Sequence, residues 1–174
     1  MTELPRMSEP TELAELADRF LKACQAAGIL AATAESCTGG LIIALLTDLP
    51  GSSSMVDRGF VTYSNEAKQE MLGVKAETLE KHGAVSRETA LEMAEGALSN
   101  ASAGIALSVT GIAGPDGGSE DKPVGLVWFG VAVTGKAPMA EKRQFENRGR
   151  DYVRKQSVRT ALELGLAALK EGRS

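Results

Sequence analysis

The 174-residue chain carries 19 Lys and Arg against 23 Asp and Glu, a formal charge of −4. That balance argues against a nucleic-acid binder with a basic face, but leaves room for a small phosphate-bearing ligand held by a local cluster of donors. With 43% hydrophobic and 24% charged residues, the composition is that of a globular protein with one core and no membrane partner.

Residues 1–9 read as a flexible N-terminus, and 10–172 as a single domain. The start lacks the basic and apolar segments of a secretory signal. Two cysteines, Cys24 and Cys37, are too few for a disulfide framework, so a cytoplasmic setting is the expectation. From Pro10, apolar residues at Leu13, Leu16, Ala17, Phe20, Leu21 and Cys24 trace one stripe of an amphipathic helix that Gly28 ends. An apolar strand is predicted over 28–32, a turn over 33–40 and a helix to Thr47. A second strand is predicted over 59–64. Ser64 or Asn65 then caps a helix over 66–72 that Gly73 stops. A short helix follows over 76–81. Ser86 caps a longer one with Leu91, Ala94, Ala97 and Leu98 facing inward. The third strand spans 104–110 and leads into the glycine-rich loop 111–120. A long apolar strand over 124–133, an edge strand over 139–146 and a helix over 151–170 complete the chain.

Strands alternate with helices through the first two thirds, and two adjacent strands follow. This order predicts an α/β fold, a three-layer αβα sandwich with a mixed, mostly parallel central sheet. Ligands of such sheets bind outside the carboxyl ends of the strands, where Ser36, Tyr63, Lys68 and Thr110 fall.

Ser36 reads either as a helix cap or, given a base, as a nucleophile beside unpaired helix N–H groups. Backbone donors over Cys37, Thr38, Gly39 and Gly40 would then hold an oxyanion or a phosphate, the glycines letting a ligand approach. His82 is the single histidine and sits where a helix should end, a poor place for a triad base. Lys68, in the first turn of a helix, is the better base, because dipole and burial both disfavour its charged form. Tyr63 is either a core tyrosine with its hydroxyl at the rim or a proton relay. Cys37 is either a rival nucleophile with a depressed pKa or a small buried filler. The loop carrying Thr110, Gly111, Gly114, Gly117 and Gly118 matches neither a Walker A nor a dinucleotide fingerprint, yet its N–H groups suit a phosphate or carboxamide. Arg148, Arg150 and Arg154 are candidates for a phosphate clamp, with a solvated basic face of the last helix the reading for at least two of them. No His/Cys spacing or acidic set suits a metal, so the expected chemistry needs neither metal nor cofactor.

Three stretches take the reading further: TAESCTGG at 33–40, GFVTYSNEAK at 59–68 and SVTGIAGPDGG at 108–118. With HGAVS at 82–86 and KPVG at 122–125, they closely resemble the CinA C-terminal domain family, in the same order and from the first helix to the last. The resemblance implies hydrolysis of nicotinamide mononucleotide to nicotinic acid mononucleotide and ammonia. Carried over by motif, Ser36 is the nucleophile and Tyr63 and Lys68 are its partners. Such a substrate needs a separate phosphate anchor, for which the 110–118 loop and an arginine, Arg148, are the candidates. Many members carry a further N-terminal domain related to molybdopterin-binding proteins, and the resemblance implies the stand-alone form. Together with the apolar stretch 124–133, taken as exposed, it suggests a homodimer. Two alternatives remain at this point. One is a catalytically idle relative acting through a protein partner in competence or DNA damage, and the other is a serine amidase for another small amide.

Overall fold

The computed structural model describes residues 11–171; the 1–9 tail lies outside them. Helix α1 (Glu12–Ala27) starts at Thr11, whose hydroxyl accepts from Ala14 N, and ends at Gly28 in the left-handed conformation. Strand β1 (Ala31–Glu35) leads to α2 (Leu41–Thr47), and a short 3₁₀ turn (Ser52–Ser54) leads into β2 (Val56–Val61). Helices α3 (Asn65–Leu72), α4 (Ala76–His82) and α5 (Arg87–Ser99) precede β3 (Ile105–Gly111). Strands β4 (Leu126–Val133) and β5 (Met139–Gln144) and helix α6 (Arg150–Lys170) follow. Ser64 and Ser86 cap α3 and α5 as expected, accepting from Ala67 N and Thr89 N; such caps are each worth ~1 kcal/mol.

The strand order is β2-β1-β3-β4-β5. The pairs β1–β2 and β1–β3 are parallel, whereas β3–β4 and β4–β5 are antiparallel. The sheet is thus mixed, and four of its five strands point the same way. Alternation along the strands sorts the core into two layers. Ile105, Leu107, Val109, Val127, Phe129 and Val131 pack with α1, α2 and α6. The opposite face is built of small residues, Ala32, Ala34 and Ala106, and α5 lies close on it. A Cβ at Gly130 would stand 2.4 Å from Ala90 O, and Ser108 Oγ donates to that same carbonyl at 2.6 Å.

Several expectations shift. The first strand runs three residues later than predicted, because Thr33 and Glu35 are fully buried members of it. The second strand shifts the other way, starting and ending earlier, at Val56 and Val61. Helix α5 turns Thr89, Ala90, Met93, Ala94 and Ala97 inward, leaving Leu91 and Leu98 half-buried. The apolar stretch of β4 is not exposed: hydrogen bonds from β3 and β5 hold both its edges. Exposed apolar side chains lie instead around α2 and the edge strand β2, at Leu41, Val61 and Tyr63. Among the described residues no helix is long and apolar enough to cross a membrane.

Candidate active site

The parallel strands β2, β1 and β3 deliver the chain to one end of the sheet. Ser36 directly follows β1, and its N–H extends the ladder by donating to Val109 O at 3.0 Å. Lys68 sits on α3, which β2 feeds through Thr62 and Tyr63. Its side chain is 1% exposed. The Nζ atom lies 2.9 Å from Ser36 Oγ, 2.8 Å from Thr62 O and 3.3 Å from Tyr63 O. Burial holds the Lys68 pKa below the ordinary lysine value of 10.5, since an ammonium loses more than an amine on leaving water.

The two groups open into a cleft of about 270 Å³. Ser36, Cys37, Tyr63 and Lys68 line one side. Thr110, Gly111, Gly114 and Gly117 line another, with Asp116 and Arg150. Ala84 and Val85 also line it, and Thr110 Oγ1 donates to Ala84 O at 2.8 Å. Arg150 Nη1 donates to Gly114 O at 2.8 Å, and its Nη2 reaches the Tyr63 hydroxyl at 3.4 Å.

Other predicted site residues lie elsewhere. Arg148 stacks on the Tyr152 ring, 4.5 Å from its centroid, and Arg150 takes the place in the cleft. Thr38, Gly39, Gly40 and Gly118 do not line the cleft. Gly39 and Gly40 adopt φ of 57° and 101°, so their backbone conformation, not ligand approach, asks for glycine. A Cβ on Gly39 would meet Arg154 Nη2 at 3.4 Å, and one on Gly40 would meet Val61 Cγ2 at 3.3 Å. Tyr63 is no core residue: it is 65% exposed. Its backbone carbonyl, not its phenol, contacts the lysine. Cys37 is 6% exposed, and burial pushes its thiol up to about 12, outweighing nearby positive charge. His82 ends α4, with Nδ1 3.6 Å from Glu88, and lines a separate cleft.

The helix amides expected beside Ser36 are occupied. Glu35 accepts from Ile42 N at 2.9 Å and Ile43 N at 3.0 Å, and from Thr33 Oγ1 at 3.2 Å. Leu41 N donates to Thr38 O, and Gly39 N to Ser36 O. The Cys37, Thr38 and Gly40 N–H groups are left without an acceptor among the described residues. Sequence reasoning missed Glu35, Asp116 and the 84–85 wall. A buried acid two residues after a β-branched hydroxyl carries no local signature, and neither does an apolar loop.

Fold and contacts together define an α/β protein with a buried lysine–serine contact beyond the carboxyl ends of its parallel strands. The chain belongs to the CinA C-terminal domain family, whose model matches residues 13–169. It is 51% identical over 153 residues to the nicotinamide-nucleotide amidohydrolase PncC of Escherichia coli K12, spanning 88% of this chain and 92% of that one. The protein of the same name from Enterobacter agglomerans is 51% identical over 160 residues, 92% of this chain and 96% of that one. Among solved structures, the competence/damage inducible protein CihA from Agrobacterium tumefaciens is 49% identical. It superposes with a TM-score of 0.88 over 98% of this chain and 99% of that one.

Proposed function

We propose that the protein is a nicotinamide-nucleotide amidohydrolase, converting nicotinamide mononucleotide and water to nicotinic acid mononucleotide and ammonia through a serine ester. The observation that carries this reading is the 2.9 Å contact between Lys68 Nζ and Ser36 Oγ, in a chain half identical to proteins named for that activity. An idle interaction domain would have no reason to keep an amine desolvated and unpaired with acid, at a cost to stability.

In the proposed mechanism the neutral Lys68 amine takes the Ser36 proton as Oγ attacks the carboxamide carbon. The tetrahedral oxyanion is held by the N–H of Cys37, the residue after the nucleophile; such a donor is worth about 3–4 kcal/mol in the transition state. The Lys68 ammonium then protonates the departing nitrogen, which leaves as ammonia. Water attacks the ester, giving its proton to Lys68, and Ser36 regains its hydroxyl as the nicotinic acid mononucleotide departs. Thr62 and Tyr63 contribute backbone carbonyls that aim the amine. Arg150, with the Gly114–Gly117 backbone, anchors the substrate phosphate, and Tyr63 closes the rim beside it. Exposed Leu41 and Val61 are the surface on which we place a homodimer, testable by sedimentation of the Leu41→Asp variant.

The test is ammonia release from nicotinamide mononucleotide by the purified protein, by a folded Ser36→Ala variant, and by the wild type given free nicotinamide. Release only in the first case is expected. Equal turnover by Ser36→Ala ends the nucleophile role, and equal turnover of the free base ends the phosphate-anchored reading.

A further inference from the structure

Helix α6 crosses behind the Ser36 turn and sends Arg154 into it. Its guanidinium Nε donates to Cys37 O at 3.1 Å, and its Nη2 donates to Thr38 O at 3.2 Å. Two consecutive carbonyls are thereby held by one rigid, planar fork. Among the described residues Arg154 forms no ion pair, in contrast to Arg159 further along the helix, which pairs with Glu12. Its contacts are with backbone carbonyls.

The consequence for the turn follows from peptide geometry. The C=O and N–H of one trans peptide point in opposite directions. Drawing Cys37 O toward α6 turns the Thr38 N–H away from that helix. Drawing Thr38 O the same way fixes the next peptide, whose Gly39 N–H closes on Ser36 O at 3.0 Å. That last bond holds Ser36 O and so sets the plane that carries the Cys37 N–H. Of the N–H groups the turn leaves without an acceptor among the described residues, those of Cys37, Thr38 and Gly40, only that of Cys37 belongs to a residue that lines the cleft. This N–H is thus oriented through the Gly39–Ser36 bond that the Arg154 contacts hold in place. The hydrogen bond to Thr38 O also polarises its peptide and strengthens the Gly39 N–H that donates to Ser36 O, and that bond in turn polarises the peptide carrying the Cys37 N–H. The guanidinium adds a positive charge behind the position where negative charge develops.

We propose that Arg154 is a positioning residue for the acyl-transfer step: by gripping Cys37 O and Thr38 O it holds the turn that sets the Cys37 N–H, the donor that receives the oxyanion. This rests on the serine-ester reading above. Arg154 touches neither substrate nor reacting atoms, so its effect belongs to the transition state and not to ground-state binding.

The experiment compares wild type, Arg154→Ala, Arg154→Lys and, as a control on the same helix, Arg159→Ala. It measures kcat and KM for nicotinamide mononucleotide, thermal melting, and the rate of Ser36 labelling by a fluorophosphonate, read by mass spectrometry. For Arg154→Ala, kcat should fall about tenfold or more, short of the ~10²–10³ that deleting an oxyanion donor costs, with KM unchanged. Labelling should slow in parallel, and millimolar guanidinium should restore part of both. Arg154→Lys should be intermediate, since an ammonium lacks the fork that spans both carbonyls, and Arg159→Ala should match wild type. A kcat for Arg154→Ala equal to wild type overturns the proposal, as does a loss seen only in KM. Should Arg154→Ala not fold, the Arg154→Lys result decides, with unchanged kcat and labelling overturning it. If the wild type neither releases ammonia nor is labelled, the serine-ester reading itself has failed, which is a separate outcome from equal rates in active proteins.

Discussion

Lys68 Nζ and Ser36 Oγ stand 2.9 Å apart, and of the three oxygens around that nitrogen only the serine's carries a proton. The other two are the carbonyls of Thr62 and Tyr63, which can only accept. An ammonium would give one hydrogen to each of the three. A neutral amine gives two to the carbonyls and receives the serine hydrogen on its lone pair. The same contacts serve both protonation states, so the proton can cross without rearranging the site.

The pH dependence follows from the depressed Lys68 pKa. The base must be neutral, so kcat/KM should rise with pH along a limb whose midpoint lies below 10.5. Stability should move in the same sense. Between the folded pKa and 10.5 the unfolded chain binds the extra proton, so unfolding free energy rises with pH across that window. Below the folded pKa the penalty for charging the buried amine is present in full. Denaturant titrations of wild type and Lys68→Met from pH 6 to 10 should show the wild type gaining on the variant as pH increases. A gain in the opposite direction would mean that the amine is stabilised as its cation.

Much of the helical frame was legible because its signals are local. Ser64 and Ser86 sit at helix starts, and Gly28 and Gly73 at left-handed ends, where the chemistry of the terminus is written in one or two residues. Strand β1 was placed early because its inward face carries Thr33 and Glu35, which an apolar pattern rejects. What makes them core residues is their mutual hydrogen bond and the α2 amides, contacts that exist only after folding. The site divides the same way. Ser36 and Lys68 lie on motifs that can be read from the chain, whereas the choice of Arg150 over Arg148 depends on where α6 begins and which way it leaves the loop.

Neither cysteine should react in the native protein. Cys37 and Cys24 are buried, and burial pushes each thiol up to about 12. At pH 8 both are protonated and shielded, which removes the thiolate that alkylation requires. Iodoacetamide followed by intact-mass measurement should find no adduct on the folded chain and two after denaturation. Rapid single labelling at Cys37 would reopen it as a nucleophile.

Gly96 lies in the interior of α5, where replacing glycine by alanine normally stabilises a helix by about 0.5–1 kcal/mol. Here the added Cβ would stand 1.9 Å from Leu72 O at the end of α3. Relieving that overlap requires α3 to move away from α5, and overpacking of this kind costs about 1–3 kcal/mol or more. The steric term exceeds the propensity term, so Gly96→Ala should lower the melting temperature. Because α3 carries Lys68, it should also lower kcat. A melting temperature above wild type would show that the two helices separate easily.

Glu35 governs the other side of the nucleophile. Helix α2 has seven residues, too few to persist on its own, and its N-cap position is held by Gly40, which has no side chain to offer. The cap is supplied from the strand instead, by a carboxylate whose two oxygens each take one amide of the first turn. In Glu35→Gln one of those oxygens becomes an NH₂ group facing an N–H. A buried donor is left unpaired, at about 1–3 kcal/mol. The variant should unfold at lower denaturant concentration, and the amide of Ile42 or Ile43, whichever faces the new NH₂, should exchange faster than in wild type. The outcome separates a cap from a bystander: unchanged stability with both amides still protected would mean that packing alone holds α2, and with it the turn that presents Ser36.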